Sequence, residues 1–199
     1  MTTTTTAVAS AAINFRSPLR YPGGKQKAIT QIAKMFPAKA SEYREPLVGG
    51  GSVFFHARNR NFASQYWIND KFAELVAFWE TVQDSVNCRQ LVTELEQLRS
   101  SFSGPEAIKE YFQKARHEHP DDNYRTALLF FFFNRVTFSG TTRAGGFSSA
   151  ASISRYTASS IQRLATLPAA LSGTKITCGD FDEVIAAPGK DVFIFLDPP

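Results

Sequence analysis

The sequence predicts an α/β fold in which a parallel sheet carries an inserted, mainly helical lobe. Three observations predict it. Strand-like apolar runs near residues 43–48, 65–68, 175–178 and 192–196 are separated by helix-patterned segments, and strands joined through helices pair in parallel. The last run, Val192-Phe193-Ile194-Phe195-Leu196, is continuously apolar, as a strand covered on both faces is. Finally, a block of roughly 100 residues separates the second run from the third, far longer than an ordinary crossover, so an inserted lobe is expected there.

The elements follow in chain order. Met1 to Ala12 is Thr- and Ala-rich and uncharged and reads as a disordered tail. Gly24 to Phe36 places Ile29, Ile32, Ala33 and Phe36 at helical spacing, and Pro37 ends it. Tyr43 to Val48 reads as a strand, Gly49-Gly50-Gly51 as a turn, and Ser52 as the cap of a helix through Val53, Phe54 and Phe55. Gln65 to Ile68 is the second strand, ending at Asn69-Asp70, and Phe72 to Val86 a helix with Leu75, Phe78, Trp79 and Val82 on one face. Leu91, Leu95 and Leu98 mark another helix; Gly104-Pro105 opens the next, with proline in the first turn. Asp121 or Asp122 caps a helix that carries Leu128, Leu129 and four consecutive phenylalanines, 130–133, which are assigned to the core. Asn134 to Tyr156 reads as a loop, and a short helix near Ser159–Leu167 is stopped by Pro168. Lys175–Cys178 and Val192–Leu196 complete the strands.

Composition narrows the function. No apolar stretch approaches the roughly 20 residues of a membrane helix. Cys88 and Cys178 stand far apart, and His56, His117 and His119 lack ligand spacing to them, so neither a disulfide framework nor a metal site is expected; a reducing cytoplasmic compartment fits. The net charge is only +4, but no acidic residue precedes Glu42 and none lies between Asp122 and Asp180. Those spans hold Arg16, Arg20, Lys25, Arg135, Arg143, Arg155 and Arg163, a layout suited to a polyanion.

Three motifs carry chemistry. Glu45-Pro46-Leu47-Val48-Gly49-Gly50-Gly51-Ser52 puts glycines between a strand and a helix, where the backbone can turn sharply and approach a ligand; it lacks the Gly-Lys-Ser/Thr ending of a phosphate loop. Asp70 ends the next strand about 20 residues on, where a carboxylate can accept ribose hydroxyls or simply serve the following helix. Asp197-Pro198-Pro199 follows the last strand. A carboxylate and a proline carbonyl are acceptors for the two N–H groups of an exocyclic amine, drawing electron density onto a nitrogen that ring delocalisation makes a poor nucleophile.

Together these residues resemble the N6-adenine DNA methyltransferases of the DNA adenine methyltransferase type, from about Phe15 to the final residue. Arg20-Tyr21-Pro22-Gly23-Gly24-Lys25 is similar to the family's N-terminal motif, which implies that Tyr21 and Lys25 contact S-adenosylmethionine. The resemblance assigns Glu45, Pro46, Gly49 and Gly51 to the cofactor loop, Asp70 to the ribose, and Asp180 and Phe181 to the cofactor's adenine. It makes Asp197, Pro198 and Pro199 the catalytic motif. Asn134-Arg135-Val136-Thr137-Phe138-Ser139-Gly140-Thr141-Thr142-Arg143 resembles a target-recognition element, implying that Arg135, Phe138, Ser139 and Arg143 face DNA.

The expected organisation is a tail (1–14), a cofactor-binding half of a Rossmann-like methyltransferase domain (15–80), a target-recognition lobe (81–156) and the domain's continuation (157–199). Family members continue past Asp-Pro-Pro with an aromatic residue and further strands, and the segment after Arg143 lacks their usual acidic and Asn-Val-Pro pieces. The expectation is therefore a monomeric adenine methyltransferase with an incomplete sheet, acting on double-stranded DNA, truncated and inactive or weakly active as given. An RNA adenine or protein amide acceptor, or a non-catalytic binding remnant, are the alternatives.

Overall fold

A computed structural model describes residues 14–198. Met1 to Ile13 and Pro199 lie outside the described residues, and with them most of the expected tail and the last residue of the Asp-Pro-Pro motif.

Four strands form one all-parallel sheet in the order β3-β2-β1-β4: β1 (Glu42–Glu45), β2 (Gln65–Asp70), β3 (Thr174–Cys178) and β4 (Val192–Ile194). The register sets Tyr43 opposite Tyr66 and Phe193, and Asp70 opposite Cys178. Phe195 donates its amide to the Arg44 carbonyl at 2.9 Å, carrying the β1–β4 pairing one residue past the assigned strand. Because β2 lies on one side of β1 and β4 on the other, the chain reverses its direction of travel across the sheet at β1. The carboxyl ends beside that switch point are where parallel sheets open a crevice. Gly49–Gly51, Asp70, Gly179-Asp180 and Asp197 all follow strand ends at this edge.

Helices fill the connections. The expected helix over 24–36 is instead a 3-10 turn, a four-residue α1 (Ile29–Ile32) and a second 3-10 turn. No side chain caps α1, and the Ala28 carbonyl alone takes the amides of Gln31 and Ile32. Helix α2 (Ser52–Asn59) is capped by Gly51 in the left-handed region (φ 69°), with Ser52 as its first residue rather than its cap. Then come α3 (Ala73–Gln83), α4 (Ser85–Ser101), α5 (Pro105–Ala115) and α6 (Asn123–Val136). Asp84 caps α4 and Asp122 caps α6, its carboxylate accepting from the Arg125 amide at 2.7 Å. The expected loop over 134–156 is shorter: α6 runs on to Val136, and α7 (Ser149–Ser154), capped by Ser148, occupies its far end. Pro168 does not stop a helix. It sits in the first turn of α9 (Leu167–Leu171), after α8 (Ala158–Gln162), because its missing N–H is one that a first turn leaves free anyway. Finally α10 (Phe181–Ala186), unforeseen in the sequence, is capped by Asp180.

One apolar core runs from the sheet into the helices. Tyr43, Ile68, Phe78, Trp79 and Leu91 share it with all four phenylalanines 130–133, each at most 1 % exposed. Phe130 and Phe131 lie against Phe78 of α3, while Phe132 and Phe133 meet Tyr111 and Phe112 of α5. A helix apolar all round has to be covered all round, and α6 is. The sheet is tied internally by Arg44, only 2 % exposed. Its guanidinium donates to both Glu42 carboxylate oxygens (2.8 and 2.9 Å) and to the carbonyls of Val184, Ala187 and Pro188 (2.7–2.9 Å), the turn that leads into β4.

Candidate active site

The strand ends enclose a cleft of about 450 Å³, within the usual size of a small-molecule site. Tyr21, Lys25, Glu45, Gly49, Gly51, Asp70, Asp180, Phe181, Asp197 and Pro198 all line it. Nearly every residue singled out for cofactor or catalysis is thus in one place, although they span most of the chain. Pro46 is the exception: it is buried, and its carbonyl accepts from Asn69 Nδ2 at 3.0 Å.

The glycine turn has a specific steric job. A Cβ on Gly49 would stand 2.7 Å from Tyr21 Cε1, and one on Gly50 would stand 2.7 Å from Tyr21 Cβ. The ring of Tyr21 therefore lies directly on the turn, and only glycine lets it. Gly49 (φ 47°) and Gly51 (φ 69°) also adopt backbone conformations that a side chain would strain. So the glycines admit Tyr21 first, and the tyrosine in turn forms a wall of the cleft. Burial, reinforced by Asp70, pushes the phenol up to about 12, so it stays neutral.

Polar clamps hold the loops. Asp70 accepts from the Gly49 amide (2.9 Å) and the Phe72 amide (3.0 Å), so it serves both the glycine turn and the following helix. Asn69, 2 % exposed, donates to the Pro46 and Gly179 carbonyls, both at 3.0 Å, and accepts from Thr177 at 2.7 Å. It links the turns after β1 and β3. Asp180 caps α10 and pairs with Lys71 at 3.1 Å; that hydrogen bond, then the Phe181 amide, lowers its pKa. Phe181 is 46 % exposed, leaving part of its ring open to a ligand.

At the other wall, Lys25 Nζ lies 2.6 Å from Asp197 Oδ2 and 3.0 Å from the Gly23 carbonyl. The lysine expected on the cofactor thus pairs with the Asp197 carboxylate. Beneath them Glu45 is 3 % exposed and accepts from the Tyr43 hydroxyl at 2.5 Å. Burial raises its pKa to about 8, more than its hydrogen bonds to Tyr43 and the Phe54 amide lower it; Asp197 and Asp70 add to the rise. Glu45 is therefore mostly neutral at pH 7. Among the described residues, the cleft then presents three carboxylates against two ammonium groups, Lys25 and Lys71. Such a site favours a cation over a phosphate.

The residues of the segment that resembles a target-recognition element sit in different surroundings. Phe138 is 69 % exposed and Ser139 is exposed, on a loop closed by the Thr137–Phe147 bridge. Arg135, however, is 5 % exposed, its guanidinium 4.9 Å from the centre of the Phe131 ring. Arg143 is tied down as well: Nε donates to Glu74 (2.9 Å) and Nη1 to the Arg116 (2.9 Å) and Glu118 (2.6 Å) carbonyls. These contacts hold both arginines against the protein, where the sequence had implied side chains facing DNA. The reason for the neighbouring Asn134 is clear. Fully buried, it accepts from the Arg20 amide (3.0 Å) and donates to the Arg20 (2.7 Å) and Gly140 (3.2 Å) carbonyls. It fastens the recognition loop to the residue next to Tyr21, a role its bare presence in the motif did not reveal.

Comparison with known proteins agrees with this geometry. Residues 21–199 match the family described as D12 class N6 adenine-specific DNA methyltransferase. The chain is 29 % identical over 199 residues to the type II methyltransferase M.MjaIII of Methanocaldococcus jannaschii, covering 91 % of this chain and 68 % of that protein. It is 32 % identical over 190 residues to the DNA N-6-adenine-methyltransferase of Escherichia phage P1, covering 92 % of this chain but 24 % of the relative. With the DNA adenine methylase of Vibrio cholerae the identity is 26 %, covering 92 % and 65 %. The chain thus spans about two thirds of two of these relatives and a quarter of the phage protein. It belongs to the D12 class of N6 adenine-specific DNA methyltransferases.

Proposed function

We propose that this site serves S-adenosylmethionine-dependent methyl transfer to the N6 amino group of adenine in double-stranded DNA. The observation that carries the reading is the joining of Asp197 and Pro198 to the glycine turn and Asp70 in one cleft. Had Asp197 emerged at the opposite edge of the sheet, an amine held there could not meet a methyl donor held at the turn.

The residues fit the cofactor. A cleft with one negative charge in excess complements a ligand whose sulfonium and ammonium outnumber its carboxylate. Asp70 keeps acceptor capacity for ribose hydroxyls, since each of its oxygens takes one amide hydrogen. Phe181 and Asp180, which line the cleft, would meet the cofactor's adenine, and Tyr21 walls the turn. When bound, the cofactor supplies an electrophilic methyl group.

The chain's own groups act on the acceptor. Asp197 and the Pro198 carbonyl accept the two N6 hydrogens and raise electron density on nitrogen. Lys25 fixes the carboxylate's direction. Glu45, neutral beneath them, adds no second charge to repel Asp197. Phe138, exposed on its loop, is placed to stack on or wedge beside a displaced base.

Labelled methyl donor and adenine-containing duplex test this directly. N6-methyladenine should form, and Asp197→Ala should abolish it while cofactor affinity stays within about threefold of the wild type. Label entering RNA or protein instead, or turnover surviving in Asp197→Ala, would refute the reading.

A further inference from the structure

A second concavity of about 450 Å³ shares Tyr21, Gly24 and Ser52 with the cofactor cleft and has opposite character. Its lining includes Arg16, Ser17, Gln26 and Arg163 and no carboxylate. Three more arginines lie within electrostatic reach of its Arg163. Arg20 is held by Asn134 and by its Nη1 bond to the Thr137 carbonyl (3.2 Å). Arg135 follows Asn134 on α6, and Arg155 follows α7. The positive fields of Arg163, Arg20 and Arg155 reach Arg135, and with burial they lower its pKa to about 9.

Two features set this cluster apart from an ordinary basic surface. Among the described residues, none of these five arginines pairs with a carboxylate, and the sequence around them is acid-free before Glu42 and between Asp122 and Asp180. Arg135 is also 95 % buried with its Nε lacking any hydrogen-bond partner among the described residues. A buried guanidinium whose Nε lacks a hydrogen bond, in the field of exposed Arg155 and Arg163, is a costly arrangement that an anion would relieve. The guanidinium fork matches the oxygens of a phosphate in pairs.

We propose that Arg16, Arg20, Arg155 and Arg163, with Arg135 as the buried charge beneath them, form an anion site that seats a backbone phosphodiester of the bound nucleic acid beside the cofactor cleft. The inference rests on the DNA reading above and adds a place where the strand is gripped. Phosphate contacts position a duplex without reading its sequence, so the site fixes the target's distance from Asp197 rather than its identity.

The test uses the full chain and its Arg155→Ala/Arg163→Ala variant, both changes at exposed positions. Duplex affinity is measured by fluorescence anisotropy from 50 to 200 mM salt. The wild-type slope of log affinity against log salt should fall by about two in the variant, roughly one per lost phosphate contact. The affinity loss should be the same for unrelated duplex sequences, and cofactor affinity should be unchanged. A wild type that binds duplex with a slope the variant retains overturns the site and leaves the DNA reading standing. A wild type that binds no duplex defeats the DNA reading itself. A parallel arm follows thermal stability in pyrophosphate against chloride at equal ionic strength. Stabilisation of the wild type alone, with duplex binding unaltered in the variant, overturns the proposal in favour of a free oxyanion.

Discussion

Replacing Glu45 with glutamine tests whether a neutral carboxyl really underlies the cleft. Glu45 is 3 % exposed, and burial raises its pKa from 4.5 to about 8. In the unfolded chain the same group ionises near its ordinary value. Between those two values the folded state therefore binds the extra proton. Stability from this group is fully present below about pH 4.5 and is lost as pH rises through 8. Each pH unit in that window costs up to about 1.4 kcal/mol. Glutamine keeps the size and an acceptor for the Tyr43 hydroxyl but cannot ionise. The stability of Glu45→Gln relative to the wild type should then climb by about 3 kcal/mol from pH 5 to pH 8. Urea unfolding of both proteins at half-unit pH steps gives the difference directly, and every other titrating group cancels. A difference that stays flat with pH would show that Glu45 is ionised in the fold and that the argument for a single negative excess in the cleft is wrong.

Other substitutions probe the remaining joints. Gly50→Ala brings a Cβ to 2.7 Å from Tyr21 Cβ without straining the backbone, so it should shift that ring and weaken cofactor binding about tenfold by calorimetry, roughly 1.4 kcal/mol. Lys25→Met breaks a half-exposed pair, so stability should change by under about 1 kcal/mol, while kcat falls at least about tenfold as Asp197 loses its orientation. Asn134→Ala removes three buried hydrogen bonds and should cost about 2–3 kcal/mol in urea unfolding, with cofactor affinity falling in parallel because Tyr21 follows Arg20. An Asn134→Ala protein that unfolds like the wild type would show that the clasp is not maintained in solution.

What the sequence revealed and what it hid have physical reasons. The strands and the glycine turn were legible because each is a local pattern: a continuous apolar run, or three residues able to take unusual backbone angles. The run of phenylalanines was legible as core because it sat on a helix with no polar face to spare. The contacts of Arg143 were not legible because its partners, Glu74 and the carbonyls of Arg116 and Glu118, lie 69, 27 and 25 residues away and only the packing of α6 on α3 and α5 brings them near. Lys25 and Asp197 meet across the whole chain, so no spacing could announce the pair. Asn69 and Asn134 bind backbone carbonyls, which every residue offers, and such contacts leave no trace in side-chain patterns. Pro168 shows the converse: the same residue ends a helix or begins one, and only its position relative to the first turn decides.

The grip of Arg44 on the turn before β4 has a consequence for how the protein assembles. Glu42 and Arg44 belong to the first strand, yet three of the acceptors that satisfy this interior guanidinium come from residues 184, 187 and 188. Until that late segment arrives, an early strand holds a charge whose needs are only half met. The amino-terminal half is thus poorly suited to reaching its final packing ahead of the rest. The sheet should instead close in a single concerted event, and a ribosome still holding residue 188 would hold back a site whose first wall was made 140 residues before.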